Sequence, residues 1–289
     1  MSEKDPKLEK NALREALKVL HPPEIRSGVV HIGEFTAKFC HDFVSLLAFI
    51  GEVASALWFA IRHPSKIRWK ETVYFMDVCG SDAVPIVLLI CFLMGLILGF
   101  QGAVQMHKFG TDIFVADLVG LSIVKELGPL MVAMICTGRA GSSFAAELAT
   151  MKVSEEIDAM VTMGFVPSRF LIVPKIIALF AVMPVLTVYG DIVGILGGMF
   201  VGKIQLDIPV IAYYNRSMIA ILPQYFIEGI LKSLVFAILI AGIGCFRGLQ
   251  ASSDTQGVGR ATTSAVVSGI FLVVLFDTML TVLFSHLWR

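Results

Sequence analysis

Five ionisable side chains interrupt long apolar runs of this 289-residue chain: Lys125, Glu126, Glu228, Lys232 and Asp277. A charged group in the middle of a bilayer is costly, and it usually faces the interior of a helix bundle or a water-filled cavity. The chemistry open to such groups is ion pairing, proton or ion binding, and contact with a polar headgroup. We predict that Lys125, Glu126, Lys232 and Asp277 form a polar network beside a substrate pathway, with Glu228 close to it.

Sequence spacing leaves the pairing of these groups open. Glu228 and Lys232 are four residues apart with the acid first, the favourable order within one helix, so they can form a self-neutralised pair. Asp277 has no basic residue within one helical turn, and Lys232 is its candidate partner. Glu126 lies three residues before Pro129, whose missing N–H predicts a kink. A kink beside charged groups suits the wall of a cavity.

The sequence gives little support to enzyme chemistry. Its five cysteines form no CxxC pair, and its six scattered histidines lack the partners of a ligand set, so we predict no metal site. It contains no GxxxxGK[ST] loop, so this chain does not bind ATP by that means. The formal net charge of zero says nothing by itself about a nucleic-acid partner, and we predict none. We therefore expect a non-catalytic subunit without a cofactor of its own.

Membrane-spanning helices must position the five charges. Hydrophobic residues make up 56% of the chain and charged residues 16%, with a mean hydropathy of +0.82, well outside the range of soluble domains. A spanning helix needs about 20 mostly apolar residues. Five segments meet that need, and we predict an all-α integral membrane protein with about five transmembrane helices: Ala83–Met106, Ile113–Thr137, Phe170–Val201, Ile221–Phe246 and Ala261–Leu287.

A sixth apolar run, Phe43–Ile61, has Glu52 in its middle and fits an interfacial helix as well as a span. The distribution of basic residues decides its predicted place. With five spans, 17 of the 23 Lys and Arg residues lie on the side of the N-terminus, which is the cytoplasmic side by the positive-inside rule. We therefore predict cytoplasmic or interfacial N-terminal helices over residues 1–80, a transmembrane domain over residues 81–289, and a C-terminus on the opposite side.

Small residues, Gly141 among them, dominate the stretch Gly138–Ala149, which also contains the charged residues Arg139 and Glu147. Small side chains at four-residue spacing let another helix backbone approach closely. We predict a tightly packed seam here, within the chain or between subunits. Arg139 and Glu147 lie about two turns apart on a similar face, where they can reach the interface or neighbouring backbone.

A short helix is predicted next, at about residues 154–164 on the cytoplasmic side. Ser154 is the expected N-cap, acids follow in the first turn, and Gly164 is suited to the position after the last turn. Such a helix is either a surface-lying connector or a helix that docks into a cytoplasmic partner. The residues assigned to it are Ser154, Glu155, Glu156, Ile157, Asp158, Met160 and Gly164.

Residues 125–178 resemble the central signature of the MlaE (YrbE) family, the permease subunits of Mce-associated ABC lipid transporters. The matching pieces are "ELGP", "GRAGS", "AEL", "IDA" and a following "MG", in order and at plausible spacing. A later "LKSLVFAILIAGIGCFRG" and "GVGRATTSAVV" also match, so the resemblance covers roughly residues 75–287. Lys125 and Lys175 stand where the family usually has Arg, and a lysine keeps the charge without the planar, bidentate geometry of a guanidinium.

The resemblance implies a homodimeric permease in the bacterial inner membrane that moves lipid, with phospholipid as the expected substrate, and helps to maintain outer-membrane lipid asymmetry. It implies two cytoplasmic ATPase subunits, which bind ATP and Mg²⁺ and receive the short helix as a coupling helix. It also implies a periplasmic Mce-domain partner. The alternative is an ion-coupled secondary transporter of a hydrophobic substrate, in which the intramembrane acids bind protons or ions. That alternative predicts inverted repeats, and the sequence shows no convincing ones.

Overall fold

A computed structural model describes residues 44–252 and 254–287. The chain divides into two compact units, residues 1–51 and 52–289, and nearly all the described residues belong to the second. Across the described ranges the regular structure is helical, without a strand. This confirms the predicted all-α integral membrane fold. The predicted N-terminal helices before residue 44 lie outside the described residues.

The described residues form nine helices, besides a separate 3₁₀ turn at Pro64–Lys66. Helix α4 opens with a 3₁₀ turn and contains two π-helical turns, and α6 opens with a π-helical turn. The bounds are α1 (Val44–Arg62), α2 (Trp69–Gly80), α3 (Val84–Lys108), α4 (Asp112–Val153), α5 (Glu156–Thr162), α6 (Ser168–Leu206), α7 (Val210–Ala220), α8 (Pro223–Leu249) and α9 (Thr255–Leu287).

All five predicted spans are present as helices, and most are longer than predicted. Over the described ranges, six segments are long and apolar enough to cross a membrane: α1, the run of α2 and α3, α4, α6, α8 and α9. Helix α4 does not end near Thr137 but continues to Val153. Helix α1 meets the same requirements of length and hydropathy as the others, so its interfacial placement remains a prediction.

Helices α3 and α6 pack backbone against backbone. A Cβ atom added to Gly95 would lie 1.9 Å from the carbonyl oxygen of Gly194, and one added to Gly197 would lie 2.5 Å from the carbonyl oxygen of Phe92. Further along, Gly99 faces Gly198 in the same register. Glycine is required at these points because any larger residue would separate the helices.

Helices α4 and α8 run parallel, as a series of close contacts shows. Gly229 lies against Val124, Gly244 against Gly141, and Gly248 against Ala145. The short connections make successive long helices alternate in direction. Residues 154–167 and 250–254 therefore lie at one end of the bundle, called the α5 end, and residues 207–222 lie at the other, called the α7 end.

Candidate functional site

The buried ammonium group of Lys232 joins three helices. Its Nζ donates to Glu126 Oε2 of α4, lies 3.0 Å from Asp277 Oδ1 of α9, and donates to Thr281 Oγ1 at 2.8 Å. The Thr281 hydroxyl in turn lies 2.9 Å from Glu126 Oε1. We call Glu126, Lys232, Asp277 and Thr281 the charged seam. The structure therefore places Lys232 beside Asp277, as the sequence predicted, and adds Thr281, which the sequence argument overlooked.

Two carboxylates share one ammonium group in the charged seam. The Lys232 side chain is fully buried, whereas the Glu126 and Asp277 side chains are 31% and 15% exposed. Losing one member of a buried ion pair costs about 3–5 kcal/mol, because the remaining charge is left without compensation. Lys232 is thus the member on which the contact between the three helices depends.

Lys125 and Glu228 form a second pair between α4 and α8. Lys125 Nζ lies 3.4 Å from Glu228 Oε2 and 5.2 Å from the centre of the Tyr225 ring, and Glu228 is 1% exposed. The possible pair of Glu228 with Lys232 along α8 is therefore wrong. Both side chains face α4, where Lys125 and Glu126 offer the opposite charge to each, so the pairs form across the helices.

A π-helical turn, Ile123–Leu127, presents Lys125 and Glu126 to α8. The Gly128 N–H bonds to the Ile123 carbonyl, five residues earlier, and Pro129 has no N–H to donate to the Val124 carbonyl. That carbonyl points towards Gly229, where a Cβ atom would be only 2.5 Å away. Turns of this kind occur often at functional sites. This one is explained by Pro129, which lacks an N–H, and by Gly229 of α8, which leaves room for the Val124 carbonyl.

Another acid, Asp191 of α6, is 4% exposed and packs against the same turn. A Cβ atom on Gly128 would lie 1.8 Å from its Oδ1, and that oxygen lacks a hydrogen-bond partner among the residues that the structure describes. The sequence signal by which this buried acid could have been found is its place within the glycine-rich run "YGDIVGILGG". The sequence argument above did not include Asp191 among the site residues.

A separate pair, of which only the lysine is buried, lies closer to the α5 end. Lys175 Nζ of α6 donates to Glu147 Oε1 of α4 at 2.9 Å and lies 4.1 Å from the centre of the Phe75 ring. The Lys175 side chain is 1% exposed. Glu147 was predicted to belong to a packing seam, and the structure adds a buried ionic partner that sequence spacing did not indicate.

The other two predicted seam residues have contacts within the chain. Arg139 donates to the backbone carbonyl of Asp82, and its Nη2 lies 3.4 Å from the Asp82 carboxylate. Gly141 packs against Gly244 of α8, where a Cβ atom on Gly244 would lie 2.7 Å from the Gly141 carbonyl oxygen. Gly138, by contrast, faces open space. The close approach at Gly141 is thus made by α4 and α8 of the same chain.

The short connecting helix α5 begins later than predicted. Ser154 is not its N-cap: it ends α4, and its hydroxyl donates to the Thr150 carbonyl at 3.0 Å. Glu155 takes the N-cap position with a φ of 60°, a left-handed conformation that stops the helix from continuing through it. Gly164, with a φ of 81°, follows the last turn as predicted.

Helix α5 presents acids to solvent and apolar side chains to its own protein. Ile157 is buried and Met160 is half-buried, whereas the three acids Glu155, Glu156 and Asp158 are exposed. Val161 and Met163 are also exposed, at 53% and 65%. The result is a helix anchored on one side, with a mixed acidic and apolar surface on the other.

Two ion pairs lie outside the apolar spans or at their edge. Arg216 of α7 binds both carboxylate oxygens of Asp117, and these hydrogen bonds raise the pKa of Arg216 above its ordinary value. Between α8 and α9, the Ser252 hydroxyl and then Arg260 lower the pKa of Asp254. Neither pair was predicted from the sequence, because the partners are remote or lie in a connection.

The described residues include no group of three or more His, Cys, Asp or Glu side chains placed to hold a metal ion. The charged seam can therefore act through ion pairs, hydrogen bonds and contact with a polar group, which are the chemistries that its side chains supply. Its location among three long apolar helices makes it the candidate functional site.

Comparisons with known proteins show which family the amino-acid sequence matches. A family model described as Permease MlaE matches residues 72–283. A probable ABC transporter permease protein of Rickettsia prowazekii is 38% identical over 255 residues, covering 88% of this chain and 96% of the relative. The intermembrane phospholipid transport system permease protein MlaE of Haemophilus influenzae is 32% identical over 253 residues, covering 86% and 97%. A probable ABC transporter permease protein of Synechocystis is 30% identical over 229 residues, covering 75% and 82%.

Proposed function

Because this chain belongs to the MlaE permease family and is an ABC transporter permease, we propose that it moves a glycerophospholipid in a complex driven by ATP hydrolysis. The charged seam carries this proposal. Lys232 lies between Glu126 and Asp277, so a shift of α4 relative to α9 can exchange one acid partner for the other. Exchange costs far less than breaking a buried pair, and a transporter needs such a low-cost movement between two arrangements.

The surface between α4 and α9 supports a lipid substrate. An open groove there is lined by hydroxyl groups of Ser142, Ser143, Thr262 and Thr263. Apolar side chains such as Phe271 and Met279 are exposed further along α9. Hydroxyl groups suit a polar headgroup and apolar side chains suit acyl chains, so a lipid has complementary surfaces along this path.

Helix α5 is proposed as the coupling helix, received by a groove on a cytoplasmic ATPase that binds ATP and Mg²⁺. Glu155, Glu156 and Asp158 are free to meet basic residues of that groove, because they face solvent. Ile157 and Met160 face the permease, so they transmit movement of α5 to the long helices rather than contact the ATPase. This differs from their predicted place on a docking surface and follows from their burial.

The proposed assembly is a homodimer in a bacterial inner membrane, with cytoplasmic ATPase subunits and a periplasmic Mce-domain protein. The N-terminus lies in the cytoplasm and the C-terminus in the periplasm, as the distribution of basic residues favours. Transport between the inner membrane and the Mce-type partner would maintain lipid asymmetry of the outer membrane. The name of the Haemophilus influenzae relative, a phospholipid transport permease, supports the choice of lipid.

Reconstitution tests this function. The chain would be placed in vesicles containing a fluorescent phospholipid, with and without its ATPase, and lipid movement would be measured with ATP or with an ion gradient. We expect movement only with the ATPase and ATP. A lone chain that is fully active under an ion gradient would contradict the proposal and favour an ion-coupled secondary transporter.

A charge-reversal variant tests the role of α5 by co-purification of the ATPase with the chain. Reversal of the three exposed acids, E155K/E156K/D158K, is expected to abolish co-purification of the ATPase. The control reverses two exposed acids outside α5, D207K/E52K, and should leave co-purification unchanged. Equal ATPase recovery with both variants would show that α5 is a connector only.

A further inference from the structure

Three basic side chains surround one aromatic ring, Phe59, where α1 ends and α6 begins. The ring stacks on the His63 imidazole with centroids 4.6 Å apart, the Arg169 guanidinium carbon lies 4.2 Å from its centre, and Lys66 Nζ lies 5.5 Å from it. These four side chains line a shallow recess that is partly open to solvent. We call this feature the basic recess.

Among the residues that the structure describes, no acid compensates the positive charge of the basic recess. Over residues 44–252 and 254–287, neither Lys66 nor Arg169 has a carboxylate within ion-pairing distance, whereas the neighbouring Arg68 pairs with Glu71. Cation–π contacts with Phe59 stabilise the two cations only in part. Two like charges held around one ring repel each other, so an anion seated between them would lower the energy of the site.

Two tryptophans place the basic recess at the level of a membrane surface. Trp58 precedes Phe59 in the sequence and Trp69 follows Lys66 by three residues; both are exposed, and Trp69 Nε1 donates to the Pro64 carbonyl at 3.0 Å. Tryptophan is enriched where lipid headgroups meet the apolar core. The floor of the recess is apolar, since Ala56 and Ala60 pack there against Val173. The open side of the recess therefore faces headgroups.

We propose that the basic recess binds the phosphate of an anionic glycerophospholipid headgroup from the surrounding membrane. The planar guanidinium of Arg169 can donate two hydrogen bonds to a phosphate, and Lys66 adds a point charge. Basic pockets between membrane helices are known to take such headgroups. The site lies at the α5 end, on α1 and α6, while the charged seam lies on α4, α8 and α9. Its occupant is thus a resident lipid that holds α1 against α6, distinct from a transported substrate.

Native mass spectrometry of the purified chain in detergent tests this proposal. Phosphatidylglycerol, phosphatidylcholine and inorganic phosphate would each be titrated against the wild type, K66Q/R169Q and the control K108Q/K203Q. The control removes two exposed lysines near the α7 end. We expect tighter binding of phosphatidylglycerol than phosphatidylcholine, about 30-fold weaker binding of phosphatidylglycerol by K66Q/R169Q, and no change in the control.

Three results would overturn the proposal. Unchanged phosphatidylglycerol affinity in K66Q/R169Q would show that the recess is not the site. An equal loss in K108Q/K203Q would show a general effect of net charge. Displacement of phosphatidylglycerol by an equal concentration of inorganic phosphate would assign the recess to free phosphate rather than to a lipid. Lipid transport does not enter these measurements, so failure of the proposed transport function would leave them unaffected.

Discussion

Helices α3 and α6 meet through glycine, whereas α9 meets the glycine-packed pair α4 and α8 through charge, although all five are long and apolar. At the first contact, the backbone of Gly95 lies directly against that of Gly194. At the second, Lys232 is held between the carboxylates of Glu126 and Asp277. Both kinds of contact hold helices together within the membrane, where lipid supplies no hydrophobic force that drives helices together.

The two solutions differ in how many arrangements they allow. Close backbone contact depends on dispersion forces that fall steeply with distance, so the glycine contact is favourable in one register only. An ion pair in a low-dielectric interior is strong over a longer distance, and Lys232 has two acids to choose from. The comparison indicates a rigid half of the bundle, α3 with α6, and a half in which α9 can rearrange against the glycine-packed pair α4 and α8.

The largest expected effect is on the rigid half. Gly95→Val would place side-chain atoms where the Gly194 carbonyl lies, since a Cβ atom alone would be 1.9 Å from that oxygen. We expect no folded protein in a detergent extract, as measured by size-exclusion fluorescence. Gly242→Ala is the matched control, because a Cβ atom there has no neighbour within 4 Å. Normal folding of Gly95→Val would mean that α3 and α6 can separate, and the contrast between the two halves would be lost.

Lys232→Met comes next in size and breaks the charged seam. It leaves the partly exposed carboxylates of Glu126 and Asp277 without a cation, so we expect the free energy of unfolding to fall by about 3 kcal/mol, the lower end of the range for a fully buried pair. Thermal denaturation in detergent measures this loss. The triple variant E126Q/K232M/D277N removes the stranded charges and should recover most of the stability. If Lys232→Met alone melts at the wild-type temperature, the seam does not hold the helices together.

Glu126→Gln and Asp277→Asn should each cost less, about 2 kcal/mol, because Lys232 keeps one acid partner in either variant. These two variants separate an effect on folding stability from an effect on lipid transport. A seam that works by exchange of partners needs both acids, so we expect each variant to fold but to lose lipid movement coupled to ATP hydrolysis. Wild-type transport and coupling in both variants would show that the seam is structural only.

The smallest effect is expected at Asp254, which pairs with Arg260 outside the spans. Folding lowers the pKa of Asp254, so its stabilising contribution is present above the ordinary value of 3.8 and is lost as pH falls through the folded value. Because this pair is exposed to water, Asp254→Asn should leave the melting temperature at pH 7 almost unchanged. If Asp254→Asn lowered the melting temperature as much as Lys232→Met does, burial would not explain the importance of the charged seam.

The sequence predicted the spans well because a bilayer demands long apolar segments, and hydropathy reports them directly. It also identified Lys125, Glu126, Lys232 and Asp277 as unusual. It did not predict Lys175 as the partner of Glu147, since the two lie on different helices 28 residues apart. It was wrong about Ser154 as an N-cap, because α4 continues to Val153 and Glu155 turns the chain instead.

The amino-acid sequence by itself determined the membrane class, the positions of the helices and the presence of charges inside them, because each of these follows from the local cost of transfer into lipid. Only the tertiary structure decided which charges meet. Glu228 and Lys232 lie at the ideal spacing for each other, yet both bind residues of α4. The reason is that a charge of either sign is satisfied by any opposite charge within reach, and reach across a bundle depends on how the helices pack.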